Sequence, residues 1–247
     1  MSSHSSSHLS EVISAARRAL HDLDPTLAQV HAIAPVFEWR VKQGGFAGLA
    51  QLIVEQQISV PAAAAIWSRL EAGLGHVTSA HVLASSPEKL KAFGLSNQKV
   101  KYIRAIAEAE VSDTIDFNAL SRLDDVAAIA TLDALPGVGR WTAEIYLMFC
   151  EGRMDLFPAG DLALQEAWRV AEKSTARLSE KALYARALSW QPHRGIAAHL
   201  LWAYYSAIKR GDVTATAHQP EIKPKVEKST VKTAAKKMKP KAKSESL

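Results

Sequence analysis

The chain has 247 residues, 48% hydrophobic, 22% charged and 7% aromatic, with 12 Gly and 10 Pro. These proportions exclude fibrous and wholly disordered classes. Its one cysteine, Cys150, excludes an internal disulfide framework, a four-cysteine zinc site and a cysteine-ligated iron–sulfur cluster. The net charge of +5 is concentrated at one end, because residues 213–247 carry nine Lys against three Glu and the rest is close to neutral.

In chain order, Met1–His8 is a Ser/His stretch without periodicity and reads as a disordered end. Met1–Ser10 has no charged or apolar leader pattern, and no apolar run approaches the roughly 20 residues that cross a bilayer. The expectation is a soluble, intracellular protein with no membrane partner. From Leu9 to about Arg210 the apolar spacing is helical, with no convincing alternation of period two. Asp22–Pro25 and Lys42–Gly45 punctuate the first part. A helix is predicted over Phe46–Ile58, and another opens at Pro61 and runs through Ala62–Leu70. A short one begins at Ser86-Pro87-Glu88 and ends at Gly94, followed by Asn97–Glu110. Leu123–Leu135, Arg140–Cys150, Asp161–Lys173, Ser179–Leu188 and Arg194–Arg210 complete an all-α body spanning 9–211. Residues 212–247 hold almost no large apolar side chains and read as a disordered Lys-rich tail, either solubilising or a polycation that gathers on a polyanion by counterion release.

Between two of these helices lies Leu135-Pro136-Gly137-Val138-Gly139-Arg140. Two glycines one residue apart permit a tight turn with positive φ and leave backbone N–H groups free at the start of the next helix. Such a terminus attracts anions, a DNA phosphate among them, although an ordinary helix–helix turn would use the same glycines. The longer run Leu-Pro-Gly-Val-Gly-Arg-Trp-Thr-Ala resembles the hairpin of the helix–hairpin–helix DNA repair glycosylases. Four further segments match that superfamily in order: Ile53–Ser59, Gly94-Leu95-Ser96 with Lys99, Tyr102 and Ile103, the loop Leu156–Asp161, and Trp190–Arg194 leading to Trp202. The last is similar to the C-terminal helix of the DNA-3-methyladenine glycosylase II branch. The resemblance covers about Phe46–Tyr205. It implies two helical lobes with a cleft between them; because helical pattern begins near Leu9, the expectation is a compact form without an obvious amino-terminal β-domain.

The resemblance also implies roles. Members that cut the DNA strand carry a lysine directly after Gly-Val-Gly-Arg, and its amine attacks the sugar. Here that position is Trp141, which points to the alkylated-base branch and to simple hydrolysis without lyase chemistry. The implied substrate is double-stranded DNA bearing alkylated purines such as 3-methyladenine and 7-methylguanine, bound by a monomer in the cytoplasm at the nucleoid, or in the nucleus if the source is eukaryotic. A base alkylated at N3 or N7 is already cationic and leaves as a neutral molecule without a general acid. A single carboxylate then suffices to stabilise the oxocarbenium-like sugar or to orient water. Asp161 is the catalytic candidate, although its position before Leu162, Leu164, Gln165 and Trp168 also reads as a helix N-cap. Gln57, beside Gln56, matches the residue that fills the gap left by the flipped base; both could instead merely end a helix. Trp141 and Trp202 match base-pocket aromatics, while Ile145 and Ala203 stand where relatives can carry tyrosine, implying a roomier pocket. Gly137, Val138, Gly139 and Thr142 form the implied DNA-binding hairpin. No metal is implied beyond a monovalent cation at the hairpin, which some relatives use, and no other cofactor. His193 and His199 read as surface or supporting residues. Two other functions remain compatible with these residues: a non-catalytic hairpin DNA-binding protein, and a glycosylase for oxidised or mismatched bases, which Trp141 disfavours.

Overall fold

The computed structural model describes residues 3–37, 39 and 41–213. The Lys-rich segment 214–247 lies outside the described residues. Among the described residues thirteen helices follow in order: α1 Ser3–Leu23, α2 Pro25–Ile33, α3 Gly45–Glu55, α4 Val60–Leu74, α5 Ser79–Ala84, α6 Pro87–Ala92, α7 Asn97–Val111, α8 Phe117–Leu120, α9 Asp125–Asp133, α10 Arg140–Cys150, α11 Leu162–Ala171, α12 Glu180–Ala187 and α13 Arg194–Arg210, with a 3-10 turn at Leu188–Trp190 before α13. Among the described residues there is no strand, and no helix is long and apolar enough to cross a membrane.

Local chemistry sets most of these boundaries. Ser59, Ser86, Ser96, Asp124 and Ser179 each accept a backbone N–H in the first turn of the helix they precede, satisfying donors that a helix start otherwise leaves unpaired. Differences from the sequence reading have physical causes. Helix α3 stops at Glu55 rather than Ile58 because Gln57 turns into the left-handed region at φ 57°. Helix α9 begins after Asp124, which caps it, not at Leu123. Helix α1 reaches upstream of Leu9 to Ser3, into the stretch read as a disordered end.

The dense packing falls into two groups. Helices α3 to α10 pack on one another through α3, α7 and α10, whereas α1 and α2 pack with α11 and α13, and the 3-10 turn packs with α12 and α13. The chain thus leaves one lobe after α2, builds the second, and returns at α11. Buried apolar side chains run through both lobes in one continuous core. Trp168 and Trp190 are its largest fully buried residues, with ring centroids 5.1 Å apart.

A buried carboxylate locks the returning helices to α2. Asp24 is 2% exposed. Its Oδ1 accepts the N–H groups of Thr26 and Leu27, and its Oδ2 accepts Trp190 Nε1 at 2.7 Å and the Arg186 guanidinium. Every donor there depends on one side chain. Asp24→Ala is expected to cost about 3–5 kcal/mol, the range for breaking a buried ion pair from one side. A denaturant midpoint shifted by that amount at constant m-value would bear this out; a loss under about 1 kcal/mol would show that water replaces the carboxylate.

Candidate active site

The hairpin connects α9 to α10. Gly137 has φ 82°, and a Cβ there would overlap the Tyr102 ring, so both its backbone and its missing side chain are required. The N–H of Val138 donates to the Leu135 carbonyl at 3.1 Å, and its side chain is buried. Val138 is therefore a packing residue that shapes the turn, and its own N–H is already used. Gly139, the residue before α10, offers no side-chain cap. The first intrahelical bond runs from the Ala143 N–H to the Gly139 carbonyl, so the N–H groups of Gly139, Arg140, Trp141 and Thr142 have no acceptor among the described residues. Gly139 and Arg140 are exposed. An open helix start of this kind is suited to a phosphate oxygen.

The turn from α3 to α4 is fastened to this hairpin. Gln56 Nε2 donates to the Gly137 carbonyl and to Thr142 Oγ1, both at 3.2 Å. Lys99 Nζ, from α7, donates to the carbonyls of Val54 and Gln56 at 2.7 and 2.8 Å and closes the end of α3. Thr142 is buried by this arrangement. Gln56 and Thr142 thus hold the turn against the hairpin, and Gln57 beside them is exposed at the tip. A non-glycine residue in the left-handed region costs about 1–3 kcal/mol, and such strain concentrates at working sites.

Asp161 ends the loop after α10 and is half-buried. The loop is held by the Asp161 N–H on the Pro158 carbonyl at 2.8 Å and by Gln165 Nε2 on the Ala159 carbonyl at 2.9 Å. Asp161 Oδ1 caps α11, accepting the N–H groups of Ala163 and Leu164 at 2.8 and 3.1 Å. Its Oδ2 accepts Trp141 Nε1 at 3.1 Å. The cap reading of Asp161 is therefore correct, and the same carboxylate also reaches the opposite lobe. Trp141 is 39% exposed.

Helix α10 turns different side chains to different neighbours. Ile145, one turn below Trp141, is buried. Phe149, a further turn along, packs against Trp202 with centroids 5.8 Å apart. Trp202 and Ala203 are half-buried on α13, and the Trp202 indole meets Phe149 and His199. Among the described aromatic pairs, none joins Trp141 to Trp202. His199 is a core residue, not a surface one. It stacks on Trp39 at 4.3 Å and bonds the Gly195 carbonyl through Nδ1 at 2.9 Å, and burial pushes its pKa down to about 4. Arg194 makes a two-point pair with Asp155 at 2.9 and 3.0 Å that fixes the start of α13.

The sequence reading missed Glu144. This side chain on α10 is 1% exposed; Arg140 Nε donates to it at 3.1 Å, and the Tyr184 hydroxyl of α12 lies 2.6 Å from both of its oxygens. The i, i+4 spacing of Arg140 and Glu144 was a visible signal, whereas Tyr184 lies 40 residues away. Burial raises the Glu144 pKa to about 7, against the opposing pull of Tyr184 and Arg140. The same three residues line a cavity of about 780 Å³ between α9, α10 and α12. Neither this cavity nor one of about 710 Å³ beneath α1 is lined by Asp161 or Trp141.

A family profile described as HhH-GPD superfamily base excision DNA repair protein matches residues 50–192. The chain is similar to DNA-3-methyladenine glycosylase 1 of Schizosaccharomyces pombe, 28% identical over 165 residues, covering 65% of this chain and 72% of that protein. Among solved structures, it superposes on a DNA-3-methyladenine glycosidase from Bacillus halodurans with a TM-score of 0.69 and 31% identity, covering 77% of this chain and 89% of the other. A second is the Schizosaccharomyces pombe 3-methyladenine DNA glycosylase Mag1 in complex with abasic DNA, with a TM-score of 0.70 and 25% identity, covering 81% of this chain and 98% of that one.

The raised pKa of Glu144 has a testable sign. The folded state keeps this proton up to about pH 7, whereas the unfolded chain releases it near the ordinary glutamate value of 4.5. This group's contribution therefore lowers stability as pH rises through that window and levels off above it. Glu144→Gln should gain on the wild type by a few °C in Tm between about pH 5 and about pH 7.5. A constant Tm difference across that range would show that Glu144 stays ionised throughout.

Proposed function

Because this chain belongs to the HhH-GPD superfamily of base excision DNA repair proteins, we propose that it is a monofunctional glycosylase, acting as a monomer, that removes alkylated purines from double-stranded DNA. The observation that carries this reading is the Trp141–Asp161 pair, an exposed indole and a carboxylate joined across the two lobes directly after an open helix start. A DNA-binding hairpin without catalysis would need the N–H groups of Gly139–Thr142 but not this pair. The similar proteins named above are glycosylases for 3-methyladenine, and one of them is seen with abasic DNA.

The proposed cycle uses each part in turn. Phosphate oxygens meet the free N–H groups at the start of α10, fixing the register of the duplex without reading its sequence. Gln57, held outward by its anchored neighbour Gln56, enters the stack as the damaged nucleotide leaves it. Extrusion costs a few kcal/mol, and an amide side chain can offset part of this by pairing with the orphaned base. The extruded base is electron-poor and stacks on the Trp141 face. Its N-glycosidic bond then breaks, with the bonding electrons leaving on the base and neutralising its charge. The cationic sugar is stabilised by the Asp161 carboxylate, and water adds at C1′ and loses a proton. With Trp141 in place of an amine, no covalent enzyme–sugar bond forms and the strand stays intact. A monovalent cation fits the hairpin as well. The carbonyls of Leu135 and Gly137 each accept one hydrogen bond and keep a second lone pair for it, and it would add positive charge beside the phosphate.

Two substitutions test this. Asp161→Asn should leave the fold close to intact, since an amide oxygen can still cap α11, while excision from methylated duplex falls by at least about a hundredfold. Free base released at the wild-type rate would remove Asp161 from the reaction, and strand nicks without heat would refute the monofunctional assignment. Gln57→Gly should raise stability by about 1 kcal/mol by relieving the left-handed strain, yet slow excision. A variant that is both more stable and equally active would show that this side chain does not enter the DNA.

A further inference from the structure

Asp161 has two oxygens in different circumstances. Oδ1 is occupied by two backbone donors, the N–H groups of Ala163 and Leu164. A carboxylate oxygen offers about two lone-pair directions, so Oδ1 is saturated. Oδ2 accepts one donor, Trp141 Nε1 at 3.1 Å, and retains one free lone pair. Charge developing on a sugar, or a water to be oriented, can thus be met at Oδ2. Capping alone leaves the carboxylate free to rock about its Cβ–Cγ bond, and the indole N–H from the other lobe removes that freedom. We propose that Trp141 is a positioning residue whose indole N–H selects Oδ2 as the reacting oxygen of Asp161 and fixes the direction of its one remaining lone pair. This role is separate from any stacking of the Trp141 ring on the base, and it rests on the reading of Asp161 as the catalytic carboxylate.

Several features of the fold make the donor suited to this task. Trp141 lies in the first turn of α10, whose N-terminus is held by the Gly137–Tyr102 contact and by Gln56. Buried Ile145 supports the next turn. On an adjacent side of the helix, Arg140 and Glu144 are tied to Tyr184 of the opposite lobe. The helix is therefore fixed in rotation by contacts on more than one side, and the indole N–H inherits that orientation. A preorganised donor of this kind needs no rearrangement as charge develops.

The ring and the N–H can be separated by chemistry. Replacing residue 141 with β-(3-benzothienyl)alanine keeps the fused ring and puts sulfur where the N–H was, and Trp141→Phe gives a second variant lacking the donor. Single-turnover release of 7-methylguanine from duplex DNA at saturating enzyme is measured beside the Kd for an abasic duplex. Loss of a hydrogen bond to a charged group should slow the benzothienyl variant about ten- to a hundredfold with Kd within about twofold of wild type. Trp141→Phe should be slowed at least as much. A benzothienyl variant that releases base at the wild-type rate overturns the proposal, as does one whose rate loss is matched by its loss in Kd. Asp161→Asn measured alongside separates the two failures. If that variant is slow and the benzothienyl one is not, only the positioning role falls; if Asp161→Asn is also fast, the catalytic assignment of Asp161 falls with it.

Discussion

The Asp161 carboxylate is gripped from both lobes at once, by the first turn of α11 on one oxygen and by the Trp141 indole on the other. Neither contact is large in energy, since hydrogen bonds to charged groups contribute about 1.5–3 kcal/mol each. Together they decide where a negative charge stands relative to the open start of α10. The rest of the molecule can be understood as the means of holding that relation. The hairpin fixes one end of α10, Glu144 and Tyr184 tie that helix to α12, and the Arg194–Asp155 pair fixes where α13 begins.

Three carboxylates illustrate how burial sorts similar chemistry into different roles. Asp24, Glu144 and Asp161 each accept an aromatic donor, from Trp190, Tyr184 and Trp141 respectively. Asp24 is 2% exposed and Glu144 1% exposed, although Glu144 also lines the cavity beside α12. Asp161 has the same kind of partner but is half-buried, beside an indole that solvent reaches. The first holds the returning helices to α2, and the second ties α10 to α12. The third can hold the fold together and still meet a substrate.

Much of this was legible in the sequence where local rules dominate. Arg140–Cys150 and Arg194–Arg210 run as their periodicity and flanking residues indicate, and the glycine hairpin needed only its own residues to be recognised. Asp161 and Trp141 were each visible as candidates, but their bond was not, because it joins residues 20 apart that lie in different lobes. The early end of α3 was hidden for another reason. The apolar period runs on through Ile58, and the left-handed turn at Gln57 is imposed by Gln56 and Lys99 reaching the hairpin and α3 from outside the local pattern. The pairing of Glu144 with Arg140 was open to its i, i+4 spacing, but its burial was not, because a glutamate in a helix ordinarily faces water and Tyr184 reaches it only on the return of α12. Val138 reads as part of the phosphate-binding hairpin because its sequence neighbours are glycines; only the structure shows that its N–H is spent on the Leu135 carbonyl and its side chain is buried.

The division of the Asp161 grip between two lobes sets a limit on heat tolerance that differs from the melting of the whole. The apolar core is continuous through both lobes, whereas the indole and the carboxylate meet at 3.1 Å across their seam. A slight breathing of that seam, well short of cooperative unfolding, parts them. On the proposed reading of Asp161 as the catalytic carboxylate, excision would fade at temperatures where the helices are still intact, its ceiling set by the stiffness of a joint.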